Sequence, residues 1–184
     1  RKSCYEKVGS FDGAFRACED MDMWLRITSR YKVLGSTKLL TRHRILPNSM
    51  STDPTRQTQN RLAVIKKHFG PEPANESEWT DAQRRAYGQA YLASAVEYLQ
   101  AQRDDSAYES FSKMAHIYPG LLANLNTFYE LGCGEQPKGH RGDFASLNIE
   151  QDARTLIGLL DRFFSGGEGP HPLSKCKPSA YYHG

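Results

Sequence analysis

Residues 70–77 (GPEPANES) constrain the fold more than any other stretch, because neither a helix nor a strand is expected to run through them. Two prolines exclude a continuous helix, and the polar residues around them offer little to bury. The chain is therefore predicted to form two parts, residues 1–70 and residues 78–165. The tail, residues 166–184, is rich in glycine and proline and is expected to be irregular or disordered.

Composition limits the class of protein. Apolar residues make up 39% and charged residues 24% of the 184 residues, which is typical of a folded chain that can bury a core. The net charge of +3 is too small to indicate a nucleic-acid partner, so none is expected. No apolar run approaches the roughly 20 residues that a membrane-spanning helix needs, and no transmembrane span is expected.

The four cysteines, at positions 4, 18, 133 and 176, lack the paired spacing of a zinc ribbon or a disulfide framework. Scattered cysteines of this kind indicate a reducing compartment. We therefore expect a cytoplasmic location, with the inner face of a membrane as the alternative. The chain begins at Arg1 rather than at a methionine, which we interpret as a sign that it is a piece of a longer protein.

A cluster of acids stands out in the first part of the chain. Glu19, Asp20 and Asp22 lie within four residues, at the start of a helix predicted from about residue 18 to residue 30. A helix N-terminus favours negative charge, yet acids this dense repel one another. Structural caps are the commonest role for such clusters. The helix should bury one apolar stripe, formed by Met21, Trp24, Leu25 and Ile27.

Short elements surround this helix. Residues 1–9 are predicted to form one helical turn closed by Gly9, and Asp12 should bond the backbone amides of its own turn. Alternating apolar residues predict two strands, at 31–35 and 38–43. A helix is expected from Thr52 or Asp53 to Phe69, with Pro54 in its first turn and its apolar positions at Leu62, Ala63, Ile65 and Phe69.

The second part of the chain is predicted to be helical throughout. Helices are expected at about 80–102, 106–118, 121–131 and 148–164, the last with its apolar side at Ile149, Ala153, Leu156, Ile157, Leu160 and Phe164. A basic loop at 136–144 would either meet phosphate or lipid headgroups or simply be solvated. The fold class is therefore mainly α, with a small α+β portion before a helical bundle or hairpin.

The order of motifs in the first part resembles the C-terminal half of the catalytic domain of family 2 glycosyltransferases, which have the GT-A fold. The match runs over about 55 residues. It comprises residues 1–8, then Gly-Ser-Phe-Asp at 9–12, then Cys-Glu-Asp-Met-Asp-Met-Trp-Leu-Arg at 18–26, and finally an arginine before an Asn-Ser-x-Ser loop at 43–51.

The resemblance implies roles for individual residues. It makes Asp20, with Glu19 before it, the general base that takes a proton from an acceptor hydroxyl during inverting transfer. Asp22 would belong to the electrostatic setting of this base. Trp24 would pack beneath the base, and Arg26 would either pair with one of the acids or reach a diphosphate.

The same resemblance implies a nucleotide-sugar pocket lined by Arg44, Ser49 and Ser51. His43 is a weak candidate for a metal ligand, and a plain histidine at a strand end is the favoured interpretation.

Relatives of this kind hold Mg²⁺ or Mn²⁺ through an Asp-x-Asp motif in an N-terminal half. No such half is found here, and the acids at 20 and 22 suit capping better than chelation. The metal ligands are therefore expected mostly outside this chain, which should be inactive alone.

Residues 84–119 loosely resemble one tetratricopeptide repeat, through Tyr91, Ala95 and Tyr98, then Ala107, Phe111 and Met114 or Ala115, before Pro119. A plain helical hairpin is at least as good an interpretation, because stacked repeats normally need about three units.

Two functions follow from these patterns. The first is part of an inverting glycosyltransferase that uses a nucleotide-sugar and a glycan, lipid or protein acceptor. The alternative is a helical module for protein interaction or dimerisation, with a structural acid cluster and self-association through the helical part.

Overall fold

The computed structural model describes residues 2–38, 40–41, 52–133 and 148–165. The chain divides into two compact units, Arg1–Pro71 (the N-terminal unit) and Glu72–Gly184 (the C-terminal unit). The described residues are mainly helical and contain no β-strand, in agreement with the mainly α class. The basic loop and the tail identified in the sequence lie outside the described residues.

Three helices form the described part of the N-terminal unit: α1 (Lys2–Val8), α2 (Glu19–Thr28) and α3 (Pro54–Phe69). The α1 helix ends as predicted, since the Gly9 amide donates to the Tyr5 carbonyl at 2.9 Å and Gly9 has a φ of 86°. The predicted turn at Asp12 is also present, with the Ala14 amide 2.9 Å from Asp12 Oδ1.

The two predicted strands are wrong wherever the structure describes them. Residues 31–38 and 40–41 are irregular, and the remaining predicted strand residues lie outside the described ranges. Leu34 is 94% exposed and Leu40 is 75% exposed, so the alternating apolar residues have no surface to cover. Two short strands without a third strand or a covering helix are marginal, which explains why the alternation alone misleads.

The α2 helix buries a different face from the one predicted. Met23 and Ile27 are buried together with Asp22, whereas Trp24 is 55% exposed. Trp24 therefore does not pack beneath the acids, and the prediction that it does is wrong. The periodicity fits both Met23 and Trp24, and the buried acid decides which of these neighbouring faces turns inward.

The α3 helix matches its predicted bounds. Its N-cap is Asp53, whose Oδ1 accepts from the amides of Thr55 at 3.1 Å and Arg56 at 3.3 Å. Pro54 occupies the first helical position, where its missing amide hydrogen costs nothing. Its buried face comprises Pro54, Thr58, Val64 and Ile65, so Val64 replaces the predicted Ala63, which is exposed.

The C-terminal unit contains four α-helices in its described ranges: α4 (Asp81–Gln100), α5 (Asp104–Ile117), α6 (Leu125–Gly132) and α7 (Ile149–Ser165). Short 3₁₀ turns lie at Glu76–Glu78 and Pro119–Ala123. The second turn occupies the start of the single helix predicted at 121–131, and Asn124 then caps α6 by accepting from the Asn126 amide at 3.0 Å.

Side chains buried between these helices make the core of the C-terminal unit. The α5 helix packs along α4, α6 packs on α4, and α7 packs on both α5 and α6. Phe111 and Phe163 are fully buried and meet edge to face, with ring centroids 5.2 Å apart. Every side chain of the predicted hairpin core that lies on α4 or α5 is buried: Tyr91, Ala95, Tyr98, Ala107, Phe111, Met114 and Ala115.

The buried face of α7 is rotated from the predicted one. Leu156 and Leu160 are buried as expected, but Ile149 is 65% exposed and Ile157 is 44% exposed. Leu159 and Phe163 take their place against α5 and α6. The helix carries more apolar residues than one face holds, so its periodicity alone does not determine which stripe is buried.

Gly88 on α4 permits the close approach of the chain after α5. A Cβ atom added at Gly88 would lie 2.6 Å from Tyr118 Cβ, which is closer than two carbon atoms can approach. The packing of Tyr118 against α4 therefore depends on glycine at position 88.

Among the described residues, none of the helices is both long enough and apolar enough to cross a membrane.

Candidate active site

The N-terminus of α2 presents two of the three clustered acids to the surface. Cys18 precedes the helix in the left-handed region, with φ 59° and ψ 18°, and its Sγ lies 3.4 Å from Gln57 Oε1 on α3. Asp20 is exposed and Glu19 is half-buried. Asp20 Oδ1 accepts from the Met21 amide at 2.7 Å, a bond to one of the first amides of the helix. The carboxylate of Asp20 is therefore fixed by a hydrogen bond and remains accessible from solvent.

Asp22 has the opposite environment, because it is completely buried. Its Oδ1 accepts from Lys67 Nζ at 2.7 Å and lies 2.8 Å from His68 Nε2, while its Oδ2 accepts from Arg26 Nε at 2.9 Å. Burial by itself raises the pKa of Asp22. Hydrogen bonds from these three side chains outweigh that effect and hold the pKa below its ordinary value of 3.8.

Arg26 joins α2 to the end of α1. Besides its bond to Asp22, its guanidinium donates to the carbonyl oxygens of Val8 at 2.5 Å, Gly9 at 3.3 Å and Ser10 at 2.8 Å. Of the two roles predicted for Arg26, the structure provides the pairing with an acid. These contacts occupy Nε, Nη1 and Nη2, so the guanidinium has little left to offer a diphosphate.

Lys67, on the last turn of α3, completes the cluster. Its ammonium also donates to Asp12 Oδ2 at 2.9 Å and lies 5.1 Å from the centre of the Phe15 ring. The hydrogen bond to Asp22 is the largest reason that the pKa of Lys67 is above its ordinary value of 10.5. The pKa of Asp12 is lowered, first by the Ala14 amide and then by Lys67.

Several predicted site residues come together here and others do not. Glu19, Asp20, Asp22, Trp24 and Arg26 all lie on α2, and Trp24 follows Asp20 by one helical turn on the same exposed face. The remaining candidates lie outside the described residues, namely His43, Arg44, Ser49 and Ser51.

The sequence did not reveal Lys67 and His68. The basic residues that end α3 fit an ordinary helix C-terminus, where positive charge is favoured. His68 pairs with an acid 46 residues earlier in the chain, and no local pattern signals such a contact.

The acids at 20 and 22 do not fit a divalent metal. Both oxygens of Asp22 already accept from or face basic side chains, and an added cation would be repelled by Lys67 and Arg26. Nowhere in residues 2–38, 40–41, 52–133 and 148–165 do three or more carboxylate, histidine or cysteine side chains group as metal ligands would.

Comparison of the chain with protein-family models, with curated proteins and with solved structures returned no match.

Proposed function

We propose that this chain carries the acceptor side of an inverting glycosyltransferase, with Asp20 as the general base. The observation that carries the proposal is the division of the acid cluster into an exposed Asp20 and a buried, fully paired Asp22. A base must be reachable by the hydroxyl that it deprotonates, and a carboxylate buried under three basic side chains is not.

In this proposal three residues of α2 take part in the reaction. Asp20 removes the proton of the acceptor hydroxyl as that oxygen attacks the anomeric carbon of a nucleotide-sugar, and the nucleotide leaves from the opposite face. Glu19 adds negative potential beside the base. Trp24 offers an exposed aromatic surface one turn away, where an acceptor glycan, lipid or protein group would lie. The donor and its Mg²⁺ or Mn²⁺ would be held by residues other than those on α2.

Asparagine at position 20 is expected to lower turnover in the longest natural form of the protein by about 10²–10⁴-fold. The amide keeps the size and the hydrogen bond of the carboxylate but cannot accept a proton. Release of the nucleotide from a panel of nucleotide-sugars, with and without acceptors, measures the effect. Asp81→Asn is the matched control, because Asp81 is an exposed acid in the first turn of α4.

Turnover of Asp20→Asn within about threefold of the wild-type value would exclude Asp20 as the base. An Asp81→Asn variant with the same loss would show that the effect is not local to α2.

A second candidate function rests on the C-terminal unit. It has its own core, and its exposed side chains include three large aliphatic residues, Leu125, Ile149 and Ile157. We propose as the alternative that this unit mediates self-association or docks another protein, with the acid cluster of α2 serving only to hold helices together.

Sedimentation velocity over a range of concentrations tests self-association. The alternative predicts a reversible dimer that Ile157→Glu converts to a monomer. The glutamate would have to lose its hydration to be buried at the contact between the two copies, and this costs free energy. Gln89→Glu, an exposed change on α4, should leave the dimer intact. A wild-type chain that stays monomeric at every concentration contradicts self-association.

A further inference from the structure

We infer that Lys67 and His68, at the end of α3, are positioning residues that fix the direction in which Asp20 points. The inference rests on the proposed function, since it concerns how the base is aimed. It assigns to α3 a part in the site that no motif of the chain suggested.

Helix geometry connects the two acids. Residues two apart on a helix are separated by roughly 200° around its axis, since one turn takes about 3.6 residues. Asp20 therefore faces outward when Asp22 faces inward, and any rotation of α2 that releases Asp22 also turns Asp20 away. Lys67 and His68 hold Oδ1 of Asp22 at 2.7 and 2.8 Å, and Arg26 holds Oδ2 from the same helix.

Lys67 adds a connection that His68 and Arg26 do not make. Its ammonium, which has three N–H donors, bonds Asp22 and Asp12 and lies over Phe15. Asp12 in turn holds the Ala14 amide, so one lysine ties the turn before α2 to the buried acid of α2. Through Lys67, α3 therefore fixes both the rotation of α2 and the position of the turn that precedes it.

Lys66 provides a matched comparison. It precedes Lys67 on the same helix, carries the same charge and is likewise exposed, but it is not among the partners of Asp22 and Asp12. Any effect of helix propensity or overall charge is shared by the two positions. An effect confined to Lys67 reports its contacts.

Trp24 serves as a reporter next to Asp20. The chain contains two tryptophans, so Trp79→Phe leaves Trp24 as the sole source of indole emission. In this background, Lys67→Met should shift the Trp24 emission and alter its quenching by acrylamide. It should also move the midpoint of the acid transition up by about one pH unit, because Asp22 loses one of its basic partners. Lys66→Met should leave the emission, quenching and midpoint unchanged.

The acid transition of Asp22 depends on the side chains that surround its carboxylate. The charged or titratable groups facing Asp22 are Arg26 from α2 and Lys67 and His68 from α3, with Asp12 acting through Lys67. His68→Ala, measured in the same way, should also shift the emission, because it removes the contact of the imidazole with Asp22 Oδ1. Equal spectra and equal midpoints for the variants at positions 66 and 67 overturn the inference.

Lys67→Arg decides the case in which the methionine variant unfolds. Arginine keeps the charge, so a folded Lys67→Arg unit with a midpoint near the wild-type value supports positioning by the charge at this site. If Lys67→Arg folds but its midpoint moves up and its Trp24 emission shifts although the charge is kept, the inference is overturned. An unfolded Lys67→Arg unit also overturns it, because Lys67 is then required for folding itself.

Turnover in the longest natural form separates this inference from the proposed function. Positioning predicts that Lys67→Met lowers kcat at least tenfold with little change in KM, while Lys66→Met lowers neither. If Asp20→Asn keeps full turnover, the proposed function fails, and the Trp24 signals still test whether α3 orients α2. If Lys67→Met keeps full kcat while Asp20→Asn does not, the positioning role fails and the base remains.

Discussion

Asp22→Asn is expected to destabilise the N-terminal unit by about 2–3 kcal/mol, because Asp22 is buried while its partners Lys67 and Arg26 stay partly exposed. Asparagine has the same shape as aspartate but leaves Arg26 without its paired carboxylate and leaves Lys67 with Asp12 alone. Few other substitutions in this unit would separate so many charges at once.

Urea unfolding in the Trp79→Phe background measures this effect, because Trp24 then reports the N-terminal unit alone. Asp20→Asn is the control and should change the free energy of unfolding by no more than about 0.5 kcal/mol, as exposed substitutions usually do. An Asp22→Asn variant as stable as this control would show that the network contributes nothing to the fold.

The Asp22 carboxylate also determines how the stability of the N-terminal unit changes at acid pH. The pKa of Asp22 is lowered in the folded chain, so its stabilisation is present above pH 3.8 and is lost as the pH falls through the folded pKa. Asp22→Asn should therefore flatten the acid side of the stability profile. Lys67 acts on the alkaline side, since its raised pKa gives stabilisation that is lost as the pH rises above 10.5.

Phe111→Ala is expected to destabilise the C-terminal unit by about 3–5 kcal/mol, which is the usual cost of removing a large buried ring. Phe111 is fully buried on α5 and meets the ring of Phe163 on α7 edge to face. Its loss would open a cavity where these two helices join.

Tryptophan emission again gives a separate measurement. Trp79 packs edge to face on Tyr87 at 5.5 Å, so a Trp24→Phe background reports the C-terminal unit. Leu125→Ala is the control, because Leu125 is 59% exposed and its truncation should cost far less. Similar losses for Leu125→Ala and Phe111→Ala would contradict the placement of the core.

The two helix starts with a capping signal were the most predictable part of the fold. Asp53 with Pro54 and Thr80 with Gln83 are local signals, and both starts form as expected. In the second, the Gln83 amide donates to Thr80 Oγ1 at 3.2 Å and Gln83 Oε1 accepts from the Thr80 amide at 3.1 Å. Such contacts depend only on residues a few positions apart, so the sequence determines them.

Buried faces were less predictable, because they depend on what a helix packs against. Trp24 and Ile157 both fit a helical stripe and both are largely exposed. At residues 31–35, the alternation of a strand pairs with no other strand in the part of the chain that the structure describes. Periodicity identifies which residues can share a face, and only tertiary contacts decide which face is covered.

The sequence placed the three acids together, and only the family resemblance gave Asp20 and Asp22 different roles. Nothing local distinguishes Asp20 from Asp22, since both lie in the first turn of one helix. The difference comes from Lys67 and His68, which reach Asp22 from the far end of α3. A contact between positions this distant cannot be read from spacing, so the anchor of the site emerged only from the fold.

The most direct test of this account compares Asp20→Asn and Asp22→Asn side by side, measuring nucleotide-sugar turnover in the longest natural form and urea unfolding in this chain. Asp20→Asn is expected to lose turnover by about 10²-fold or more and to keep its stability. Asp22→Asn should lose stability, and any turnover that it loses while still folded would come from the misdirection of Asp20 by α2. Full turnover in a stable Asp20→Asn protein would contradict the assignment of the base.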